Sequence, residues 1–203
     1  MGFTFSITYP FALKEKAHYF ENLLGTDGKR YSLSTFDDKQ ILVLVFMANR
    51  CPTARVYTER LKTIQKEYGE RGIQLLAINS DNQYLFSSET IPKMIEVAKE
   101  REFNFPYLKD EDQSVAQRYG ALVTLHAFVL DKARRLRYRG RIDDSRDPAL
   151  VTTHDLINAL DDILANQEVR TPETRPFACA IEISCSVCGS STISESLNIH
   201  GKM

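Results

Sequence analysis

The chain has 203 residues, which is room for one good-sized domain and a modest extension but excludes two full domains. Hydrophobic residues make up 43% and charged residues 26%, a balance that excludes a chain disordered as a whole. Its 26 basic and 27 acidic residues leave a net charge of −1, which excludes a dedicated nucleic-acid binder.

The N-terminal residues lack the basic and long apolar regions of a signal peptide, and no later segment approaches the ~20 apolar residues of a membrane span. We therefore expect a cytoplasmic protein that does not bind a membrane. The chain has 4 cysteines, too few for a disulfide scaffold, so in a reducing compartment they indicate chemistry, metal binding or packing. Cys51 stands alone, whereas Cys179, Cys185 and Cys188 lie close together near the other end.

The first predicted elements form a strand, helix, strand unit. An Asp-Gly turn within residues 25–32 predicts a hairpin or loop, and the apolar run Ile41–Phe46 predicts a strand covered on both faces. Apolar side chains recur at helical spacing over residues 54–68, and Gly69 or Gly72 is expected to end this amphipathic helix.

The next strand is predicted over residues 73–78, parallel to the first because a helix connects the two. A helix capped by Ser87 or Ser88 follows, and then a short helix over Ser114–Tyr119.

The last part of the predicted domain is a hairpin of residues 126–130 and 135–139, followed by a helix capped by Thr152 or Thr153. The order βαβ and then ββα is the thioredoxin arrangement, an α/β fold with a central mixed sheet flanked by helices.

The domain is predicted to cover residues 1–170. From residue 171 prolines and serines replace the helical and strand patterns, so residues 171–203 are interpreted as a C-terminal, cysteine-containing extension that is partly flexible.

Cys51 has the strongest positional signal for chemistry. It follows a buried strand by a short loop and precedes a helix, with Pro52 at the first helical position. A helix N-terminus together with an adjacent cation lowers a cysteine pKa from ~8.5 to roughly 3.5–7.5. Arg50 is the candidate cation. The alternative is that Cys51 is buried as a small hydrophobic residue.

The segment FMANRCPTAR, residues 46–55, resembles the active-site segment of thioredoxin-like redoxins, and most closely the branch related to alkyl hydroperoxide reductase and thiol-specific antioxidant proteins. The resemblance continues, in order and spacing, through DGKRYSL (27–33), GIQLLAINSDN (72–82), FPYLKDEDQSVAQRYGA (105–121), FVLD (128–131), YRGRIDD (138–144) and PETRPFAC (172–179). It implies a thioredoxin fold and a redox-active cysteine.

Several positions depart from this family pattern. Ala54 and Ala48 stand where related proteins have a second cysteine, so the chain cannot form a C-x-x-C disulfide around Cys51. Leu44 and Ala48 also replace the proline and threonine of the peroxiredoxin P-x-x-x-T-x-x-C signature. Thr124 is followed by Leu125 instead of the family's cis-proline, so we expect a trans peptide and a differently shaped loop. Ala54→Cys is expected to create a reversible dithiol, and Leu125→Pro added to it is expected to assist thiol exchange.

The resemblance implies that Cys179 resolves an oxidised Cys51, because PETRPFAC matches a segment that ends in a cysteine in many of these redoxins. An ordinary packed thiol is the alternative for Cys179. Cys185 and Cys188 have C-x-x-C spacing, which fits a local disulfide, an exposed tail, or a zinc site completed by Cys179 and His200.

His126 follows the altered proline position and is a candidate base or charge partner for Cys51, with a structural role as the alternative. The arginines that alternate over residues 135–141 are interpreted as a solvated strand face, neutralised by the aspartates of residues 143–147.

The leading hypothesis is a thiol-dependent oxidoreductase, an enzyme whose single nucleophile Cys51 attacks a peroxide or a disulfide. Thr124 and Pro52 complete the candidate site, and no cofactor or metal is expected. The sequence does not identify the thiol reductant, and it leaves a homodimer open. The rivals are a redox-inactive thioredoxin-fold binding module and zinc binding by the tail.

Overall fold

The computed structural model describes residues 9–183 of the chain. The strands are β1 (Leu23–Gly25), β2 (Arg30–Tyr31), β3 (Ile41–Phe46), β4 (Ile73–Asn79), β5 (Tyr107–Lys109), β6 (Ala127–Leu130) and β7 (Leu136–Gly140). The α-helices are α1 (Pro52–Gly69), α2 (Ile91–Glu100), α3 (Ser114–Tyr119) and α4 (Asp155–Leu164).

The seven strands form one mixed sheet in the order β2-β1-β5-β4-β3-β6-β7. The central strands β3 and β4 are parallel, with Leu44 opposite Leu76, as the intervening helix predicts. Strand β5 extends the parallel part, whereas β6 and β7 are antiparallel. This is the predicted thioredoxin fold.

Helices cover both faces of the sheet, which explains why every residue of β3 is buried. One hydrophobic cluster joins alternate β3 side chains to α1, α2 and α4 through residues such as Tyr57, Met94 and Leu160. The opposite cluster contains Tyr119 of α3 and Phe11 of the N-terminal segment. Cys51 belongs to the first of these clusters, at the end of the sheet where β3 stops.

The sequence located β3, α1, α3 and the β6–β7 hairpin well, but it misplaced two helix starts. Helix α2 is capped by Thr90, while the serines predicted as caps form a separate turn of 3-10 helix, Ser87–Glu89. Helix α4 is capped by His154 and not by either threonine. Strands β1 and β5 are 3 residues each, too short to show a period of two.

The described part of the extension packs along the domain. The Thr174 N–H donates to the carbonyl oxygen of Arg139 at 3.1 Å. This approach requires a glycine at position 140, because Gly140 has φ +150° and a Cβ there would lie 2.7 Å from the Thr174 carbonyl oxygen. Further along, Ala180 forms a β-bridge with Val123. The domain boundary at residue 170 stays a prediction.

The interpretation of the alternating arginines as a solvated face fits Arg135, which is exposed, but is wrong for Arg139. Arg139 is buried because the extension and the N-terminal segment cover it, and it binds Glu173 at 2.7 Å. Arg141 binds Asp155 of α4 at 2.7 Å. The aspartate expected to neutralise them, Asp143, binds Arg60 of α1 instead.

None of the helices in the described part of the chain is both long and apolar enough to cross a bilayer.

Candidate active site

Cys51 lies at the N-terminus of α1, directly after the loop that leaves β3. Its side chain caps the helix, since the Ala54 N–H points at Cys51 Sγ from 3.4 Å. The Thr124 hydroxyl donates to the same sulfur at 3.1 Å. Pro52 is in the first turn of α1, where its missing N–H costs no helical hydrogen bond. The thiol is therefore buried but held by two donors.

Cys179 of the extension lies against Cys51. The Cys179 side chain packs against the hydrophobic cluster that contains Cys51, and each of the two thiols shifts the pKa of the other. The Thr124 N–H donates to the Cys179 carbonyl oxygen at 2.8 Å. Both thiols are free, Cys51 fully buried and Cys179 partly exposed. The structure thus brings together Cys51, Cys179 and Thr124 at one helix N-terminus.

The two thiols have opposite tendencies to ionise. Burial raises the pKa of Cys51, but hydrogen bonds from the Cys179 thiol, the Thr124 hydroxyl and the Ala54 N–H outweigh it, so the pKa is lower than usual. Burial and the neighbouring Cys51 sulfur raise the pKa of Cys179. Cys51 is therefore the thiol that ionises first, and Cys179 keeps its proton to a higher pH.

Thr124→Val is expected to raise the Cys51 pKa by about one unit, because a hydrogen bond to an ionised group is worth ~1.5–3 kcal/mol. The Cys51 alkylation rate at neutral pH should then fall about tenfold. The measurement is the rate of alkylation against pH. Thr124→Ser keeps the hydroxyl and should retain the wild-type profile, whereas an unshifted profile in Thr124→Val would contradict this role of Thr124.

Arg50 is not placed as the cation expected beside Cys51. Its Nε donates to the buried carboxylate of Asp81, and its Nη2 donates to the Ala180 carbonyl oxygen at 3.1 Å. The guanidinium also lies 4.0 Å over the Phe86 ring. Hydrogen bonds lower the pKa of Cys51, whereas the charge of Arg50 acts to lower the pKa of Cys179.

His126 is not brought to the thiol. Its ring packs 4.3 Å from the Phe128 ring, which belongs to the hydrophobic cluster on the opposite side of the sheet from Cys51. Burial, together with Arg139, lowers the His126 pKa to about 3, so the ring is neutral near pH 7. Among residues 9–183, nothing hydrogen-bonds to its Nε2. These contacts favour a structural role for His126 over a role as base or charge partner of Cys51.

Because the folded-state pKa of His126 is depressed, its contribution to stability is complete above pH 6.5 and is lost as the pH falls towards 3. Between pH 7 and pH 5 the wild type should lose about 2 kcal/mol of unfolding free energy through this residue. His126→Phe should show a correspondingly smaller loss, measured by urea denaturation at both pH values. Parallel losses in the two proteins would show that His126 does not titrate on unfolding.

Leu125 differs from the proline that the family places there. None of the peptides between residues 9 and 183 is cis, so the expected trans peptide is confirmed. Leu125 has φ +59°, its N–H donates to the Phe46 carbonyl oxygen at 2.6 Å, and its side chain is buried. Proline has no N–H and a fixed negative φ. The expectation that Leu125→Pro assists the chemistry is therefore wrong in this backbone.

Leu125→Pro is instead expected to destabilise the fold. Leu125→Ala is the matched control, since it removes the same buried side chain at a cost of ~2–5 kcal/mol but keeps the N–H. The proline variant should lose about 3 kcal/mol more than the alanine variant in urea unfolding. Equal stability of the two variants would show that neither the positive φ of Leu125 nor its N–H hydrogen bond to Phe46 contributes to stability.

Sequence reasoning missed the buried polar groups that support the active-site loop. The Glu89 carboxylate is fully buried and accepts hydrogen bonds from the backbone N–H groups of Asn49 and Arg50, at 2.8 and 2.9 Å. Asp81 is buried too and binds Arg50. The sequence did contain a signal that Asp81 belongs to the site. Asn79-Ser80-Asp81 is a polar run at the carboxyl end of a parallel strand, and functional sites of α/β folds lie at such strand ends.

Cys185, Cys188 and His200, the residues of the zinc alternative, lie outside the described residues, as does the part of the tail predicted to be flexible.

Comparison with known proteins matches residues 13–139 to the AhpC/TSA family. A comparison with curated proteins gives no match. A solved structure from Sinorhizobium meliloti 1021 is 33% identical over 86% of this chain and 96% of its own, with a TM-score of 0.79.

Two more distant structures are similar in fold. Peroxidoxin BcpB from Mycobacterium tuberculosis is 22% identical, with 75% of this chain and 94% of its own covered and a TM-score of 0.57. The thioredoxin domain of a thiol-disulfide oxidoreductase from Bacteroides vulgatus is 15% identical, with 64% and 88% covered and a TM-score of 0.54.

Proposed function

Because the chain belongs to the AhpC/TSA family, we propose that it is a thiol-dependent oxidoreductase in which Cys51 is the nucleophile and Cys179 the resolving thiol. The observation that carries this proposal is that Thr124 binds both cysteines at the N-terminus of α1, the Cys51 sulfur through its hydroxyl at 3.1 Å and the Cys179 carbonyl oxygen through its N–H at 2.8 Å. The helix dipole stabilises the Cys51 thiolate there, and the Thr124 hydroxyl adds to this stabilisation.

The proposed reaction begins with attack of the Cys51 thiolate on one oxygen of a hydroperoxide. The O–O bond breaks, the leaving oxygen takes a proton and departs as an alcohol or water, and Cys51 becomes a sulfenic acid. The Cys179 sulfur then attacks the Cys51 sulfur. Water leaves, and a disulfide joins the two residues. Two thiols of an external reductant restore the pair by exchange.

Burial of Cys51 favours a small oxidant as its substrate. The Cys51 residue is 1% exposed, and Cys179 packs against the cluster that contains it. A peroxide needs to bring only one oxygen to the sulfur, whereas a protein disulfide must align three sulfur atoms for exchange. We therefore propose a peroxide as the preferred substrate class and a disulfide as the second candidate.

The reductant is proposed to be a thiol of the cytoplasm, where glutathione and dithiol proteins keep cysteines reduced. Partly exposed Cys179 is the sulfur of the oxidised pair that such a thiol reaches first. Attack of the external thiol on the Cys179 sulfur would release Cys51 as the thiolate. Cys51 is the better leaving group because its pKa is lower than that of Cys179.

Treatment with one equivalent of hydrogen peroxide, followed by mass-spectrometric mapping of all four cysteines, tests the proposal. The expected main product is a disulfide between Cys51 and Cys179. A parallel treatment with oxidised glutathione compares the two substrate classes. Four unmodified thiols in both samples would favour the redox-inactive binding module.

A further inference from the structure

Residues 179–182 are held over Cys51 from two sides. On one side they form backbone hydrogen bonds with the segment before β6. The Cys179 carbonyl oxygen accepts from the Thr124 N–H, and the Ile181 N–H donates to the Leu122 carbonyl oxygen at 2.9 Å. On the other side they contact the loops after β3 and β4. This second set of contacts involves charged groups outside the reaction described above.

Asp81 joins both loops to this segment. One carboxylate oxygen accepts from Arg50 Nε, and the other accepts from the Glu182 N–H at 2.8 Å. Arg50 in turn donates to the Ala180 carbonyl oxygen at 3.1 Å. Asp81 and Arg50 therefore close a ring of hydrogen bonds that includes the residues directly after Cys179.

The Asp81 side chain is 0% exposed and that of Arg50 is 28% exposed. A carboxylate buried to this degree is costly unless its oxygens are paired, and here each oxygen has a donor. One of these donors belongs to the segment that carries Cys179. The pairing of Asp81 therefore depends on this segment remaining in place beside Cys51.

We propose that Asp81, acting through Arg50, is a positioning residue that sets the stability of the disulfide between Cys51 and Cys179. This inference rests on the proposed function. A segment already held beside Cys51 loses little conformational freedom when the disulfide forms, so the disulfide is favoured. Asp81 and Arg50 act on Cys179 in this way, whereas the two donors that hold the Cys51 sulfur come from Thr124 and Ala54.

The test is equilibration of the full chain with glutathione of known redox ratio. Two electrons and two protons pass from the two thiols to oxidised glutathione, which becomes two reduced molecules. Asp81→Asn should lower the equilibrium constant for the internal disulfide about tenfold, which is about 30 mV for a two-electron couple. In a Cys179→Ser background, where no Cys179 sulfur remains to be positioned, Asp81→Asn should leave the alkylation rate of Cys51 unchanged, whereas general destabilisation would alter it.

Arg50→Lys provides a second variant if Asp81→Asn does not fold, since one ammonium group cannot replace both guanidinium contacts. It should shift the equilibrium in the same direction, and the double variant should do no more than the larger single effect. Asp155→Asn is the matched control, because Asp155 is a buried carboxylate that accepts from Arg141 Nε at 2.7 Å. It should leave the equilibrium at the wild-type value.

A wild-type equilibrium constant in both Asp81→Asn and Arg50→Lys would overturn the inference and leave the proposed function intact. An equal shift in Asp155→Asn would also overturn it, because the effect would then be one of stability in general. Absence of the internal disulfide from the wild type under oxidising glutathione would remove the proposed function and the inference together.

Discussion

Cys51→Ser is expected to lower peroxide consumption on the order of 10³-fold or more, as removal of a nucleophile does in other enzymes. The serine hydroxyl keeps the size of the thiol and can still cap α1, but it is not ionised near pH 7 and does not form a sulfenic acid. The measurement is peroxide loss with a dithiol reductant in excess, with the circular dichroism spectrum confirming that the variant is folded.

The control for this prediction is the double variant Cys185→Ser, Cys188→Ser, which leaves the described site untouched. It should keep most of the activity. Equal peroxide consumption by Cys51→Ser and the wild type would exclude Cys51 as the nucleophile. The helix N-terminus and the Thr124 hydroxyl would then have a structural role only.

The redox-inactive binding module is the rival that this experiment addresses. Two residues support this alternative: Ala54 stands in place of the family's second cysteine, and Leu125 stands in place of its proline. The structure weakens that support, because Cys179 packs against the hydrophobic cluster that contains Cys51. Under the proposed function, Cys179 of the extension takes the role of the missing second cysteine.

Much of the fold was predictable because its central elements have strong patterns. Strand β3 is a continuous apolar run, and α1 combines helical spacing with a proline at its start. The position of Cys51 between these two elements follows directly from them. Caps were less predictable, since a serine or threonine before a helix is equally suited to the short 3-10 turn seen at Ser87–Glu89.

The surroundings of Cys51 were only partly predictable, because they depend on contacts between distant parts of the chain. The residues around Arg50 in the sequence do not indicate that its guanidinium binds Asp81, which is 31 residues away. His126 is close to the site in sequence, but alternation along the strand turns its ring to the other face of the sheet. Cys179 was found through the family resemblance and not through any periodic pattern.

Cys179→Ser is expected to separate the two chemical steps. The Cys51 thiolate keeps its helix N-terminus and the Thr124 hydroxyl, so the first equivalent of peroxide should still be consumed at a rate within about tenfold of the wild type. The sulfenic acid then has no thiol beside it. We expect it to persist long enough for trapping by dimedone, and to become sulfinic acid when more peroxide is added.

The same variant should therefore lose the internal disulfide completely and lose activity irreversibly after a few turnovers in excess peroxide, whereas the wild type survives. Intact-protein mass spectrometry distinguishes the sulfinic acid from the disulfide, since the first gains two oxygen atoms and the second loses two hydrogen atoms. The control Cys185→Ser, Cys188→Ser should form the disulfide as the wild type does. If Cys179→Ser instead formed a bridge from Cys51 to Cys188 and kept full resistance to peroxide, the resolving thiol would belong to the tail. Cys179 would then only help to lower the pKa of Cys51.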